Sequence, residues 1–436
     1  MNYFITGVTG TVVPIIVEDL LRKDADSFFY FAIRGDAKGN GIQERFDAVL
    51  KSLDIKPAMK ARLAERSKLV EIDVEKENMG IDPDMYAELI ARIDKILHGA
   101  ADVRFDQSYE KIKISNVIFT IEIYNLFRKI KERRRVAGAF APTLYYISTG
   151  YAYGIYKTPI PEDYPQFHPG KPDNTYAQTK AEAKSFLLDK VRMFDDRIVI
   201  FEPTIIGGSS RTGRTKTYNL HYIVMMLGYL GKLPFLTAPD NRPDIVPVDW
   251  VAAVISDIMA KDAYHQGAIR LSIGDRGAPI QHLYEVGYEY YTANDPVPGH
   301  VIPKIRFVPR WFFFSMILML KIWYQSVYFV TRARRYRKLR KGISLLEGYF
   351  PYITENKVFE NAKSMALIEK YTDCGPAPAL HEIRDAAGNI VEKGYYRKTM
   401  AATLETGWGG LVDFERLAKG QTSEKSPAAA YGVSRK

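Results

Sequence analysis

The stretch Tyr3-Phe4-Ile5-Thr6-Gly7-Val8-Thr9-Gly10-Thr11-Val12-Val13-Pro14 runs from an apolar segment through two glycines into a proline. Tyr3–Thr6 reads as a buried strand. Pro14 fits the first turn of a helix, where a missing N–H costs nothing. The small residues between them let the backbone approach an anionic group. The helix N-terminus adds free N–H groups and the positive end of its dipole. Alone, a two-glycine turn is also a plain strand-to-helix connection, so its meaning depends on the residues that follow.

Further apolar runs follow at Phe28–Ile33, Leu69–Ile72, Lys95–His98, Leu144–Ser148, Ile198–Glu202 and Ile269–Ile273. Helix-length segments such as Pro14–Leu21 and Ile114–Lys131 separate them. Strands alternating with helices predict an α/β fold with a Rossmann-type, doubly wound parallel sheet. Ligands of such sheets sit at the carboxyl ends of the strands. The expected organisation is a nucleotide-binding domain over residues 1–280, a smaller and mostly helical substrate or membrane region over 281–418, and a disordered tail over 419–436.

Two residue groups then take on chemical meaning. The second strand ends at Ile33-Arg34. An acid there would hold the ribose 2′-hydroxyl of NAD, whereas an arginine fork suits the 2′-phosphate of NADP. Lys38 and Arg45 lie close behind, with Asp36 as a competing acid, so NADP(H) is expected ahead of NAD. Tyr176-Ala177-Gln178-Thr179-Lys180 lies within a helical pattern from Asn174 to Lys190. A spacing of four places Tyr176 and Lys180 on one face, where the ammonium would stabilise a phenolate and lower its pKa. The strand Leu144–Ser148 leads into Ser148-Thr149-Gly150, and a hydroxyl at that carboxyl end can hydrogen-bond a substrate carbonyl. Tyr-x-x-x-Lys is common by chance, but here it follows a nucleotide turn and a strand-end Ser-Thr in order.

In these segments the sequence resembles the extended short-chain dehydrogenase/reductase family, and within it the fatty acyl-CoA reductase and thioester reductase branch with its male-sterility-type NAD-binding domain. Thr6–Gly10, Glu71-Ile72-Asp73-Val74, Met79-Gly80-Ile81, Ser115-Asn116-Val117, Glu202–Gly207 and Asp244–Asp249 carry the resemblance. The run His98-Gly99-Ala100-Ala101-Asp102-Val103-Arg104-Phe105 is the most discriminating part. A weaker match at Phe350-Pro351-Tyr352 and Asn356–Asn361 resembles the branch's small C-terminal domain.

The resemblance implies that Gly7, Thr9 and Gly10 hold a pyrophosphate, Arg34 the adenosine phosphate, and Asp73 with Val74 the adenine. It implies that Ala100 and Ala101 line the cofactor, with Pro203, Thr204, Ile205 and Ile206 flanking the nicotinamide. Thr149 would polarise the carbonyl, Tyr176 donate the proton, and Lys180 tune it and bind ribose. Asn116 would support the lysine relay or the local helix. One departure is Val13, where the family usually has a glycine that permits close helix–strand packing. Gly150 and Tyr151 also depart from the commoner small and apolar choices.

The net charge of +10 has a single origin. Residues 296–346 hold eleven Lys or Arg and no acid, so the remainder sums to −1. Twenty mostly apolar and aromatic residues, Trp311–Val330, sit within that stretch, followed by seven cations from Arg332 to Lys341. A local basic patch beside an apolar run points to an anionic membrane surface rather than a nucleic acid. The run is long enough to span a bilayer, but Lys321 near its centre opposes spanning. An interfacial helix is expected, with a soluble lid or core helix and a spanning helix as alternatives.

One cysteine, Cys374, excludes an internal disulfide. The chain starts directly on the nucleotide turn, so a cytoplasmic enzyme peripheral to the inner face of a membrane is expected. His98 and His168 invite a metal or acid–base role, but no ligand-spaced cluster accompanies them, and no metal is expected.

The leading expectation is NADPH-dependent reduction of a long-chain acyl thioester, on CoA or an acyl-carrier protein, to an aldehyde and onward to an alcohol if a second hydride is delivered. The alternatives are a dehydrogenase, isomerase or epimerase for a sterol-like or nucleotide-sugar substrate, and a non-catalytic, membrane-attached nucleotide-binding scaffold.

Overall fold

The structure is a computed structural model that describes every residue except 36–40, 54, 106, 154–158, 163–171, 219–220, 264, 332–350, 353, 385–386 and 420–436. Lys38, His168, Phe350, the cations Arg332–Lys341 and nearly all of the expected tail lie outside the described residues.

Seven strands form the main sheet: β1 (Asn2–Thr6), β2 (Phe28–Ile33), β3 (Ser67–Glu71), β4 (Lys95–His98), β5 (Thr143–Ile147), β6 (Ile198–Pro203) and β7 (Gly267–Leu271). Their spatial order is 3-2-1-4-5-6-7 and every pairing is parallel. The chain reverses direction across the sheet between β1 and β4, and that switch point opens a crevice at the strand carboxyl ends. All seven expected strands are present, with ends shifted by one or two residues.

Both faces of the sheet are covered, which is why its strands read as continuous apolar runs. Tyr3, Ile5, Phe29, Phe31 and Ile33 point into one core and Phe4, Tyr30 and Ala32 into the other. The first face carries α1 (Val13–Lys23), later in the chain Val248–Ala260, and residues of the helices Ile42–Ser52 and Pro57–Glu65. The second face carries α2 (Phe119–Val136) and α3 (Thr175–Phe194).

A third, tyrosine-rich core joins residues far apart in sequence. It unites Tyr151 and Ile205 with α4 (His221–Tyr229), α5 (Ile280–Asn294) and α6 (Tyr396–Gly410). The segment 351–361 runs back across the catalytic side of the sheet. Ile160 and Phe359 bridge, Arg270 donates to the Glu360 carbonyl at 2.8 Å, and Lys357 pairs with the buried Asp173. The substrate side therefore pools residues from both sides of position 280.

Candidate active site

The nucleotide turn forms because Gly7 takes φ +85°, and a Cβ there would lie 2.6 Å from the Gly99 carbonyl carbon. Only glycine permits that contact between the turn and the end of β4. The Gly10 N–H donates to Gly7 O at 2.9 Å and closes the turn. No side chain caps α1; Pro14 has no N–H, the Ile15 and Ile16 N–H groups turn to Val12 O at 3.0 and 3.2 Å, and the backbone of the preceding turn is left to meet an anion. Backbone cradle, uncapped helix and switch point together fit a dinucleotide.

The departure at Val13 has a local answer. A Cβ on Gly99 would come within 2.5 Å of Val13 Cγ2. The missing side chain at position 99 makes the room that valine occupies, and α1 stays packed against the strands.

A buried polar chain fixes β1, β4 and α2 to one another. The Thr120 hydroxyl donates to Asn116 O at 2.7 Å, so its oxygen accepts from His98 Nε2–H at 3.1 Å. His98 Nδ1 then accepts from the Thr6 hydroxyl at 2.8 Å, and that oxygen accepts the Ala100 N–H at 3.1 Å. Burial, then the Lys180 charge, push the His98 pKa down to about 3. His98 is thus a neutral structural bridge that sets the height of Ala100 in the crevice. Asn116 lies in a π-helical turn, Ile114–Ile118, ahead of α2. Its amide donates to Asp102 O and Thr179 Oγ1, both at 3.0 Å, and accepts from the Asp102 N–H at 2.7 Å. It connects the loop after β4 to the helix that carries the tyrosine.

That helix, α3, starts on Asn174, whose side chain accepts the Ala177 N–H at 2.8 Å. Tyr176 and Lys180 follow on one face beside the end of β5. Burial raises the Tyr176 pKa, and a hydrogen bond with Thr149 opposes the rise. Lys180 is buried, and desolvation lowers its pKa to about 7. Its ammonium donates to Ile147 O at 2.6 Å and lies 4.2 Å from the Tyr146 ring centre. The expected lowering of the phenol pKa by Lys180 is therefore corrected: the ammonium is drawn to the strand carbonyl, and burial dominates the tyrosine. Ser148 Oγ is buried without a partner next to Thr149.

Asp73 and Val74 follow β3 and line a cleft with Arg34 and Gly80. Pro203 ends β6 and accepts the Gly150 N–H at 2.8 Å. The Thr204 hydroxyl is turned inward to Asp244 at 2.6 Å, so its side chain braces the strand end. Ile205 and Ile206 continue as a short strand paired with Ile245–Pro247.

Apart from Arg34 and Arg45 themselves, two features had no signal in the sequence. Lys216 donates to Thr9 O at 2.9 Å, while Arg45 reaches Thr9 Oγ1 at 3.4 Å and also donates to Arg34 O. Three cationic residues thus gather beside the nucleotide turn, one of them about two hundred residues away in sequence. The other feature is an aromatic wall. The Phe105 ring lies 5.8 Å from both Tyr176 and Tyr352, and Tyr151 lies 4.6 Å from Tyr352. Beyond Tyr352 and Ile205 a cavity opens with about 970 Å³ of space free of protein atoms, part of it open to solvent.

Nucleotide cradle, hydroxyl pair and buried lysine define a NAD(P)-dependent oxidoreductase of the extended short-chain dehydrogenase/reductase type. A family model described as male sterility protein matches residues 5–255, and the chain belongs to that family. Fatty acyl-CoA reductase wat of Drosophila melanogaster is 24% identical over 422 residues, covering 88% of this chain and 80% of that protein. Aldehyde reductase lnaA of Aspergillus flavus is 27% identical over 61% of this chain, which spans only 25% of lnaA. The large subunit of L-2-aminoadipate reductase of Candida glabrata is 28% identical over 58% of this chain, which spans 19% of that protein. Among solved structures, the terminal R domain of the myxalamid PKS-NRPS pathway superposes with a TM-score of 0.67 at 20% identity, covering 93% of this chain and 91% of that domain. UDP-glucuronic acid 4-epimerase from Bacillus cereus gives 0.55 at 13%, covering 94% and 99%. Both structures share the fold.

Proposed function

We propose that the chain reduces the thioester of a long apolar acyl chain, carried on CoA or a carrier protein, to the aldehyde with NADPH. The observation that carries this reading is the cavity beyond Tyr352 and Ile205. Its wall includes Val224, Met225, Leu236, Ile280, Leu283 and Ile302, and among the described residues that line it none is charged. A nucleotide sugar would strand its hydroxyls and phosphates there without partners, whereas an alkyl chain gains from burial.

A bound nicotinamide supplies hydride to the thioester carbon. Tyr176, held as a neutral phenol by burial, donates a proton to the carbonyl oxygen, and Thr149 hydrogen-bonds the same oxygen. Lys180, about half protonated near neutrality, stabilises the phenolate left behind once its ammonium swings from Ile147 O. Collapse of the hemithioacetal releases thiol and aldehyde. Arg34, Arg45 and Lys216 would meet the ribose 2′-phosphate, which favours NADPH over NADH.

The apolar run forms one helix, Arg310–Thr331. Trp311, Leu318, Met319, Trp323 and Phe329 are all more than half exposed, which speaks against the core-helix alternative. With the basic run that follows in sequence, this supports an interfacial helix on anionic lipid. Anionic vesicles should then co-sediment the protein better than neutral ones.

Incubation of purified protein with NADPH and saturated acyl-CoAs of graded length, with trapping of aldehyde, tests the main reading. Stoichiometric NADPH loss and aldehyde gain are expected. No turnover with any thioester would remove the reading and leave a sterol-like substrate as the next to try.

A further inference from the structure

The wall of the acyl cavity is rich in tyrosine, yet most of the hydroxyls are engaged by protein. Tyr229 donates to Asp295 at 2.7 Å and Tyr291 pairs with Thr403 at 2.9 Å. The Tyr284 oxygen accepts the Ile305 N–H at 2.7 Å, and the Tyr352 oxygen accepts from Asn174 at 3.3 Å. These rings present apolar surface to the chain.

Three wall residues break the pattern: Tyr288, over whose ring the Lys304 ammonium lies at 5.6 Å, and, of most interest, His221 and Tyr396. His221, the first residue of α4, lines the cavity with both ring nitrogens shielded from solvent and without a hydrogen-bond partner. Its ring packs on Tyr222 at 4.0 Å, which fixes its orientation. Burial pushes its pKa down to about 3, so the ring is neutral. Tyr396 lines the same cavity, and among the described residues no protein group hydrogen-bonds its hydroxyl. A Cβ built on Gly287 of α5 would lie 3.4 Å from that oxygen.

Polar groups buried without partners are uncommon because each forfeits its hydrogen bonds to water. A leucine or phenylalanine at position 221 would line a tube for a plain alkyl chain without that loss. A neutral imidazole offers one donor and one acceptor, and a phenol offers both as well. A hydroxyl group complements either side chain, whereas a carboxylate would lack a charge partner.

We propose that His221 and Tyr396 bind a hydroxyl substituent within the acyl chain, making hydroxyacyl thioesters the preferred substrate class. This rests on the acyl thioester reading of the same site. The chain would thread past Tyr352 into the cavity, and its hydroxyl would complete the bonds of the two wall residues. Plain chains of equal length would leave both residues unpaired.

The test compares hexadecanoyl-CoA with monohydroxyhexadecanoyl-CoAs whose hydroxyl is moved stepwise along the chain. One position, or two adjacent ones, should raise kcat/KM by about tenfold or more over the plain chain, because a site built for a hydroxyl discriminates against its absence. In His221→Phe the ratio of hydroxylated to plain kcat/KM should fall toward one, whatever the variant does to the plain chain. Tyr396→Phe should lower the same ratio and serves as the second variant if His221→Phe does not fold. Equal turnover of plain and hydroxylated chains at every position overturns this inference and leaves the reductase reading standing. A preference that survives both substitutions also overturns it. Absence of turnover with every thioester overturns the reductase reading, and this inference with it.

Discussion

The nucleotide-turn side and the apolar-cavity side of this molecule are built on opposite principles. Around the nucleotide turn, backbone and side-chain polar groups are bound to one another, from Ala100 through Thr6 and His98 to Thr120 and Asn116. Around the acyl cavity the wall is hydrocarbon and ring faces, and its few polar groups mostly bond outward. A dinucleotide presents a fixed pattern of charges and hydroxyls, so its site rewards fixed polar geometry. The acyl chain proposed for the cavity presents mainly area and length, with at most a hydroxyl to be read, so such a site rewards shape. Precision is concentrated where hydride and proton are exchanged.

The largest expected effect probes the meeting point of the two sides. Tyr176→Phe should lower kcat by about two to four orders of magnitude, the usual worth of a positioned general acid, with NADPH binding by fluorescence titration nearly unchanged. Turnover within threefold of wild type would sink the assignment of the proton donor.

A second perturbation tests how rigid the cofactor side is. Gly99→Ala drives a methyl toward Val13 Cγ2 and should cost about 1–3 kcal/mol in denaturant unfolding, as overpacking does. Val13→Ala in the same chain should return much of that loss, and a double-mutant cycle reads the coupling. Strictly additive effects would show that the two side chains do not compete for one space.

Next comes cofactor choice. Lys216→Ala should raise the KM for NADPH about tenfold, the worth of one charge-assisted bond, and barely alter NADH. Equal weakening of both cofactors would mean that Lys216 supports the turn through Thr9 O and does not read the 2′-phosphate.

The smallest effect is on pH. Burial lowers the Lys180 pKa to about 7, so kcat/KM for the cofactor, which reports free enzyme, should fall severalfold between pH 7 and 8. In Lys180→Met that limb should vanish. The same depression has a stability counterpart. Between about pH 7 and the ordinary lysine value near 10.4, the unfolded chain holds a proton that the folded chain has lost. This group's contribution therefore makes stability rise with pH across that window and stay flat below it. A stability difference between wild type and Lys180→Met that does not change over the window would contradict the burial of the ammonium.

The sheet was legible because strands covered on both faces must be apolar at every position, and the seven runs stand out against amphipathic helices. Tyr176, Lys180 and Thr149 were legible because four residues of helix and one strand end place them locally. Lys216, His221 and the aromatic wall were not. Lys216 meets Thr9 only through the loop that precedes α4, and Tyr352 meets Phe105 only because the segment 351–361 returns across the sheet. Nothing in the local pattern around either residue specifies such a partner. Val13 showed the converse, since a residue that looked like a defect in its own motif is accommodated by Gly99, far along the chain.

The pairing of Val13 with Gly99 also constrains history. A chain bearing side chains at both positions would have to move backbone at the cofactor turn, whereas a chain with glycine at both has only a small void. Substitutions linking a glycine at 13 to the present valine are therefore passable in one order only. Position 99 must be glycine before position 13 acquires a branch, and once the branch is in place position 99 is no longer free to drift.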